Sequence, residues 1–81
     1  MIRLTRSDPS RNMHRYYALQ LEPTLFGEWS LVTEWGRIGA PGKVAHRVFD
    51  TEELASVALA KRIQAKTRRG YRPQRILYSV S

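Results

Sequence analysis

Cysteine is absent from this 81-residue chain, so neither a disulfide staple nor thiolate chemistry is available, and the fold must rest on packing alone. Missing too is any apolar stretch near the roughly 20 residues that cross a bilayer. The opening MIRLTRSDPS has no apolar centre of the kind a secretory signal carries. These absences exclude a membrane partner and lead us to expect a cytoplasmic protein. No low-complexity run is present either, and with 42% hydrophobic against 26% charged residues the composition is that of a folded domain. A chain this short has room for one domain, residues 1–81, and a small core.

The most telling scarcity is of acids in the second half. Up to Glu53 seven basic and seven acidic residues cancel; beyond it there is no acid, while Lys61, Arg62, Lys66, Arg68, Arg69, Arg72 and Arg75 supply the whole net charge of +7. A surface of one sign suits a polyanion, since each neutralised phosphate releases condensed counterions. A solvated helix face that keeps the protein soluble would read the same way.

What is present is a run of strand-like segments followed by one helix. IRLTR (Ile2 to Arg6) reads as a short edge strand, and SDPSRN as turn chemistry. HRYYALQLEP alternates with Tyr17, Leu19 and Leu21 on one side and Tyr16, Ala18, Gln20 and Glu22 on the other. EWSLVTEW follows, with Trp29, Leu31, Thr33 and Trp35 together, ending at Gly36. In GRIGAPG the Pro41-Gly42 pair fits a type II turn with the positive φ on Gly42. Lys43 to Phe49 is a third long strand carrying Val44, Val48 and Phe49, with Lys43 and Arg47 between. Asp50 and Glu53 have capping-box spacing, predicting a helix from about Thr51 to Arg69 with Gly70 as its cap. Ala55, Ala58, Leu59, Ile63 and the stem of Lys66 form its apolar stripe. Arg75 to Val80 reads as a last strand. The expected class is α+β: a small antiparallel sheet packed against one long helix.

Catalytic constellations are wanting. His14 and His46 lie in different strands without a motif, and the acidic cluster Asp50, Glu52 and Glu53 already serves the helix start. Gly36, Gly39 and Gly42 lie between strands, whereas a phosphate cradle runs from strand into helix. We expect no enzyme, no metal and no cofactor. The remaining constellation is Trp35 and Arg37 beside a turn. On the pleat Trp35 shares a side with Trp29 and Leu31, which makes it a core indole. Gly36, however, permits close approach and a break in the alternation, which would leave the ring half-exposed for a sugar or base beside a phosphate-binding guanidinium. Both readings stay open at this point.

These same residues resemble the WGR domain, named for the tripeptide Trp35-Gly36-Arg37. Asn12, Arg15, Tyr16, Tyr17 and Gln20 match the family's first long strand, WGRIG.PG its signature turn, and Phe49, Ala55, Lys66, Thr67, Gly70 and Tyr71 its helix and exit. The resemblance implies a small sheet packed on one helix. It also implies the role the module plays in DNA-dependent poly(ADP-ribose) polymerases, binding at DNA breaks and relaying them to a catalytic domain. There the motif tryptophan packs on the sugar-phosphate end of a broken strand and the arginine reaches DNA and a neighbouring domain. Carried over, those roles fall on Trp35 and Arg37, with Asn12 and Arg15 near the DNA backbone. Lys43, Arg47, Arg68, Arg69 and Arg72 are added from charge alone. The 81 residues hold no polymerase catalytic domain, His14 stands where a small polar residue is expected, and RPQRILYSVS diverges. The partner expected is duplex DNA, at ends or nicks, which would associate the protein with the nucleoid; RNA and a protein held on the basic surface are the alternatives.

Overall fold

The computed structural model describes residues 1–74, so the strand expected at Arg75 to Val80 lies outside the described residues. Among the described residues five antiparallel strands form one sheet in the order β4-β3-β2-β1-β5, with one α-helix laid on one face and a 3-10 turn at Pro9–Arg11. The strands are β1 (Ile2–Asp8), β2 (Met13–Pro23), β3 (Trp29–Arg37), β4 (Lys43–Phe49) and β5 (Arg72–Pro73); the helix, α1, is Glu52–Arg68. The fold class is therefore α+β, as expected.

Registers follow from alternation. Leu4 pairs with Tyr17, Leu19 with Thr33, and Leu21 with Leu31, so the apolar members of β1, β2 and β3 stack on the side that α1 covers. Leu4, Tyr17, Leu19, Leu31 and Tyr71 form the buried cluster, with Ala58, Leu59 and Ile63 of the helix packed against it. Leu4 and Leu19 are each 1% exposed, and burials of that kind contribute about 1.5–3 kcal/mol per side chain. The helix stripe read from the sequence is thus the stripe that packs, with Ala55 wholly buried.

Four boundaries differ from the sequence expectation. First, β1 is interior, because Arg72 and Pro73 pair with Thr5 and Leu4 on its outer side. A two-residue strand containing proline leaves no period to detect. Second, β3 continues through Gly36 to Arg37, which pairs with Arg15. Third, the positive φ of the following turn belongs to Gly39 (φ 86), and Ala40 N–H donates to Arg37 C=O at 3.1 Å, so the type II arrangement spans Arg37 to Ala40 rather than Pro41-Gly42. Fourth, Thr51 is the N-cap, extended at φ −134, ψ 158, and its hydroxyl accepts from Leu54 N–H at 3.2 Å. That shifts the helix by one residue from the Asp50–Glu53 box and leaves Glu52 and Glu53 in the first turn, where the dipole favours them.

On β4 the apolar residues divide between the two faces. Phe49 pairs with Trp29 and packs toward the helix, but Val44 and Val48 pair with Glu34 and Ser30 on the uncovered face and are 55% and 52% exposed.

Candidate nucleic-acid interface

The continuation of β3 through the motif decides its geometry. Because side chains repeat with period two along an unbroken strand, Trp35 and Arg37 emerge on the same side, next to their β2 partners Tyr17 and Arg15. Gly36 sits between them with Tyr16 opposite. The alternation is not interrupted, so the break that Gly36 would permit does not occur. What approaches Gly36 is the chain itself: a Cβ there would lie 3.0 Å from Gly42 Cα. At Gly42 a Cβ would lie 2.1 Å from Tyr16 Oη and 2.7 Å from Trp35 C=O. The two glycines let the far side of the turn fold flat onto β3 and Tyr16.

Tyr16 is itself fixed. Its hydroxyl donates to Glu34 Oε2 at 2.7 Å, and the Arg3 guanidinium lies 4.3 Å over its ring. The bond to Glu34 first, then burial and the Glu34 charge, raise its pKa above 10.0, so it remains a protonated donor.

In burial, Trp35 lies between its two readings. The indole packs against the core cluster and stacks on Tyr17, centroids 6.2 Å apart at 24°, yet it is half-buried and lines an open cavity of about 370 Å³. Arg37 is exposed and held without a carboxylate: Nη1 donates to Asn12 C=O at 3.1 Å and Nη2 to Asn12 Oδ1 at 3.3 Å. Asn12, with φ 50, takes the left-handed conformation that asparagine tolerates better than most residues. Arg37 is thus aimed by two neutral oxygens while its full positive charge and remaining donors stay available.

The end of α1 completes the cavity. Tyr71 N–H donates to Lys66 C=O and Gly70 N–H to Thr67 C=O, both at 3.1 Å, with Gly70 at φ 94. This is a Schellman motif, which brings the residue after the glycine back against the last helical turn. It sets Tyr71 beside Lys66, whose ammonium lies 4.5 Å from the Tyr17 ring centroid and 5.5 Å from that of Tyr71. Burial, then the charges of Arg69 and Arg62, lower the pKa of Lys66 from 10.5. An arriving anion would relieve that disfavour.

Arg15, Arg37, Lys43 and Lys66 line the cavity with Trp35, and among the described residues no carboxylate does. Of the residues proposed from sequence, Trp35, Arg37, Arg15 and Lys43 are therefore brought together, with Asn12 joined through Arg37. The others stand apart. Arg47 lies at the opposite end of β4, over the Phe49 ring at 5.0 Å. Arg68 and Arg69 are exposed at the end of the helix, and Arg72 turns back to Thr67 and Tyr71 carbonyls at 3.3 and 3.1 Å. Tyr17, Lys66 and Tyr71 were missed as site residues. Lys66 read as helix stripe and dipole complement; only Gly70 hinted that Tyr71 folds back toward it.

The sheet also separates charge. Glu22 and Glu28 flank the β2–β3 loop, and the pairing of Trp29 with Phe49 brings Asp50, Glu52 and Glu53 to that same end. The cavity opens at the other end, where Arg15 and Arg37 face each other across β2 and β3.

The family profile described as WGR domain matches residues 1–76. The uncharacterized protein y4dW of Sinorhizobium fredii (strain NBRC 101917 / NGR234) is 48% identical over 69 residues, covering 85% of this chain and 34% of that protein. The chain thus spans about a third of that relative's length. No solved structure matches it.

Proposed function

Because the chain belongs to the WGR family, a family of non-catalytic nucleic-acid-binding modules, we propose that it grips the sugar-phosphate backbone of DNA at strand ends or nicks. The observation that carries this is the acid-free cavity in which a half-exposed indole stands among four cations, Arg15, Arg37, Lys43 and Lys66. A sugar packs on the open face of Trp35, whose other contacts are to Tyr17 and the core. Phosphates on either side take the Arg37 fork, already aimed by Asn12, and the Lys66 ammonium. Contact with the backbone is what an indole flanked by four cations favours, since most hydrogen bonds from protein to DNA go to phosphate and sugar. Five of the seven acids crowd the far end of the molecule, so only one end suits a polyanion. A DNA ligand also implies residence on the chromosome.

Fluorescence anisotropy with intact, nicked and blunt-ended duplexes over a salt series tests the reading. Four neutralised phosphates give a slope of log affinity against log salt near −3.6, from about −0.9 for each. Trp35→Ala should weaken binding about tenfold or more, in line with aromatic contributions of about 1–3 kcal/mol. Equal affinity for intact and ended duplexes would reduce the reading to plain backbone binding, and salt-independent binding would remove it.

One observation favours a second reading, a protein adaptor. Leu25 and Phe26 at the tip of the β2–β3 loop are 99% and 87% exposed, on a turn held by Thr24 Oγ1, which accepts from Phe26 and Glu28 N–H. A partner retained after nuclease treatment, and lost on replacing Leu25 and Phe26 with serine, would support it.

A further inference from the structure

The Trp35 cavity does not end at Trp35. A recess of about 210 Å³ continues from it, sharing Tyr17, Trp35 and Lys66 and adding Thr33, Ala45 and Arg62. A third, of about 240 Å³, shares Arg62 and runs on to Lys61, Arg47, Leu31, Ala58 and Ala65. Together they make one trough between α1 and β4, open to solvent along its length.

Residue size explains why it is open. The helix contributes Ala58 and Ala65 to the trough, and β4 answers with Ala45, which pairs with Thr33 on the covered side of the sheet yet is exposed. Longer apolar side chains at these places would seal the helix onto β4. Instead the floor is small and neutral, and the rims are cationic: Lys61, Arg62 and Lys66 from the helix, Lys43 and Arg47 from the strand. Among the described residues no carboxylate lines any of the three recesses. Lys43 and Arg47 are about 13 Å apart along β4, from a rise of about 3.3 Å per residue. Lys61 and Lys66 are about 7.5 Å apart along α1, from 1.5 Å per residue. Recesses of about 210 and 240 Å³ have room for a single phosphate chain but not for a duplex, whose major groove alone is about 12 Å across. A single phosphate chain meets cations on both sides of it.

We infer that this trough takes a single-stranded DNA extension, the overhang at a duplex end seated at Trp35. Its phosphates run between Arg62 and Lys61 on one rim and Arg47 on the other, with the bases turned outward. The inference rests on the DNA-end reading of the Trp35 cavity.

The experiment compares a labelled blunt duplex with the same duplex bearing a four-nucleotide overhang, 5′ or 3′, by anisotropy across a salt series. Wild-type protein should bind one overhang polarity about tenfold tighter than the blunt end, with a slope steeper by about 2, from about −0.7 for each of three single-strand phosphates. Replacing Arg47, Lys61 and Arg62 together with glutamine should abolish that gain and leave blunt-end affinity within about threefold of wild type. All three are exposed, so the fold is not at stake. Ala45→Leu, which fills the floor without changing charge, should also abolish the gain. Overturning results are distinguishable. Blunt ends that bind while the overhang adds nothing refute the trough alone; no binding to any duplex end refutes the Trp35 reading and the trough with it. Parallel loss of blunt and overhang binding in the triple variant shows diffuse attraction and refutes the trough, as does an undiminished overhang gain in Ala45→Leu.

Discussion

Gly42→Ala is the sharpest perturbation of the motif, because Gly42 packs on Tyr16 and β3 at the edge of the Trp35 cavity. The added methyl would start 2.1 Å from Tyr16 Oη and 2.7 Å from Trp35 C=O, both far inside ordinary contact. Neither neighbour can step aside cheaply. The hydroxyl is bound to Glu34, the ring lies beneath Arg3, the residue is 4% exposed, and the carbonyl is part of β3. The turn must therefore lift by more than an ångström, a forced overpacking of the kind that costs about 1–3 kcal/mol. At about 4–8 °C per kcal/mol for a domain of this size, a mid-range cost lowers Tm by roughly 8–16 °C. Gly39→Ala is the control. Nothing lies within 4 Å of its Cβ position, so only the φ of 86 is strained, at about 1–2 kcal/mol. Thermal unfolding by circular dichroism, paired with anisotropy on a blunt duplex, separates the two. Gly42→Ala should weaken DNA binding at temperatures where it is fully folded, because Lys43 and the edge of the Trp35 cavity move with the turn; Gly39→Ala should lose stability only. A Gly42→Ala protein with parental Tm and affinity would refute the account of how the motif is held.

Three further outcomes are expected. Arg37→Ala should reduce the magnitude of the salt slope by about 0.9, one phosphate contact, and an unchanged slope would remove Arg37 from the interface. DNA affinity should fall as pH rises through the lowered pKa of Lys66, below the ordinary 10.5, since only the ammonium form attracts phosphate. Lys66→Arg, whose charge does not titrate there, should hold its affinity across the same range, and identical pH profiles would exclude Lys66. Thr51→Ala removes the hydroxyl that accepts from Leu54 N–H and should cost about 1 kcal/mol in urea unfolding with DNA binding intact; a loss caused instead by Asp50→Ala would restore the capping box read from the sequence.

The parts of the fold legible in the sequence are those in which a residue acts through its own segment. Ala55, Ala58, Leu59 and Ile63 announce a helix face by spacing, and Tyr17, Leu19 and Leu31 a sheet face, because period alone decides which side each occupies. The pairing of Trp35 with Arg37 was legible as a motif but not as a geometry. Whether Gly36 ends the strand depends on Arg15 and Gly42, which arrive from other segments. Lys66 is the clearest omission: its stem read as part of the helix stripe and its charge as one of seven after Glu53, and it becomes a site residue only where the sheet carries Tyr17 beneath the last helical turn. Val44 and Val48 mark a different limit, since hydrophobicity without register does not say which face is covered.

The placement of Glu22, Glu28, Asp50, Glu52 and Glu53 at one extremity and the Trp35 cavity at the other makes the molecule behave as a compass needle in the field of a polyanion. Torque acts before contact does, turning the cavity forward while the partners are still about a Debye length, roughly 8–10 Å, apart. The rate of capture should therefore be set by this lengthwise asymmetry and fall with added salt, whereas the lifetime of the complex rests on the indole and the cations around it.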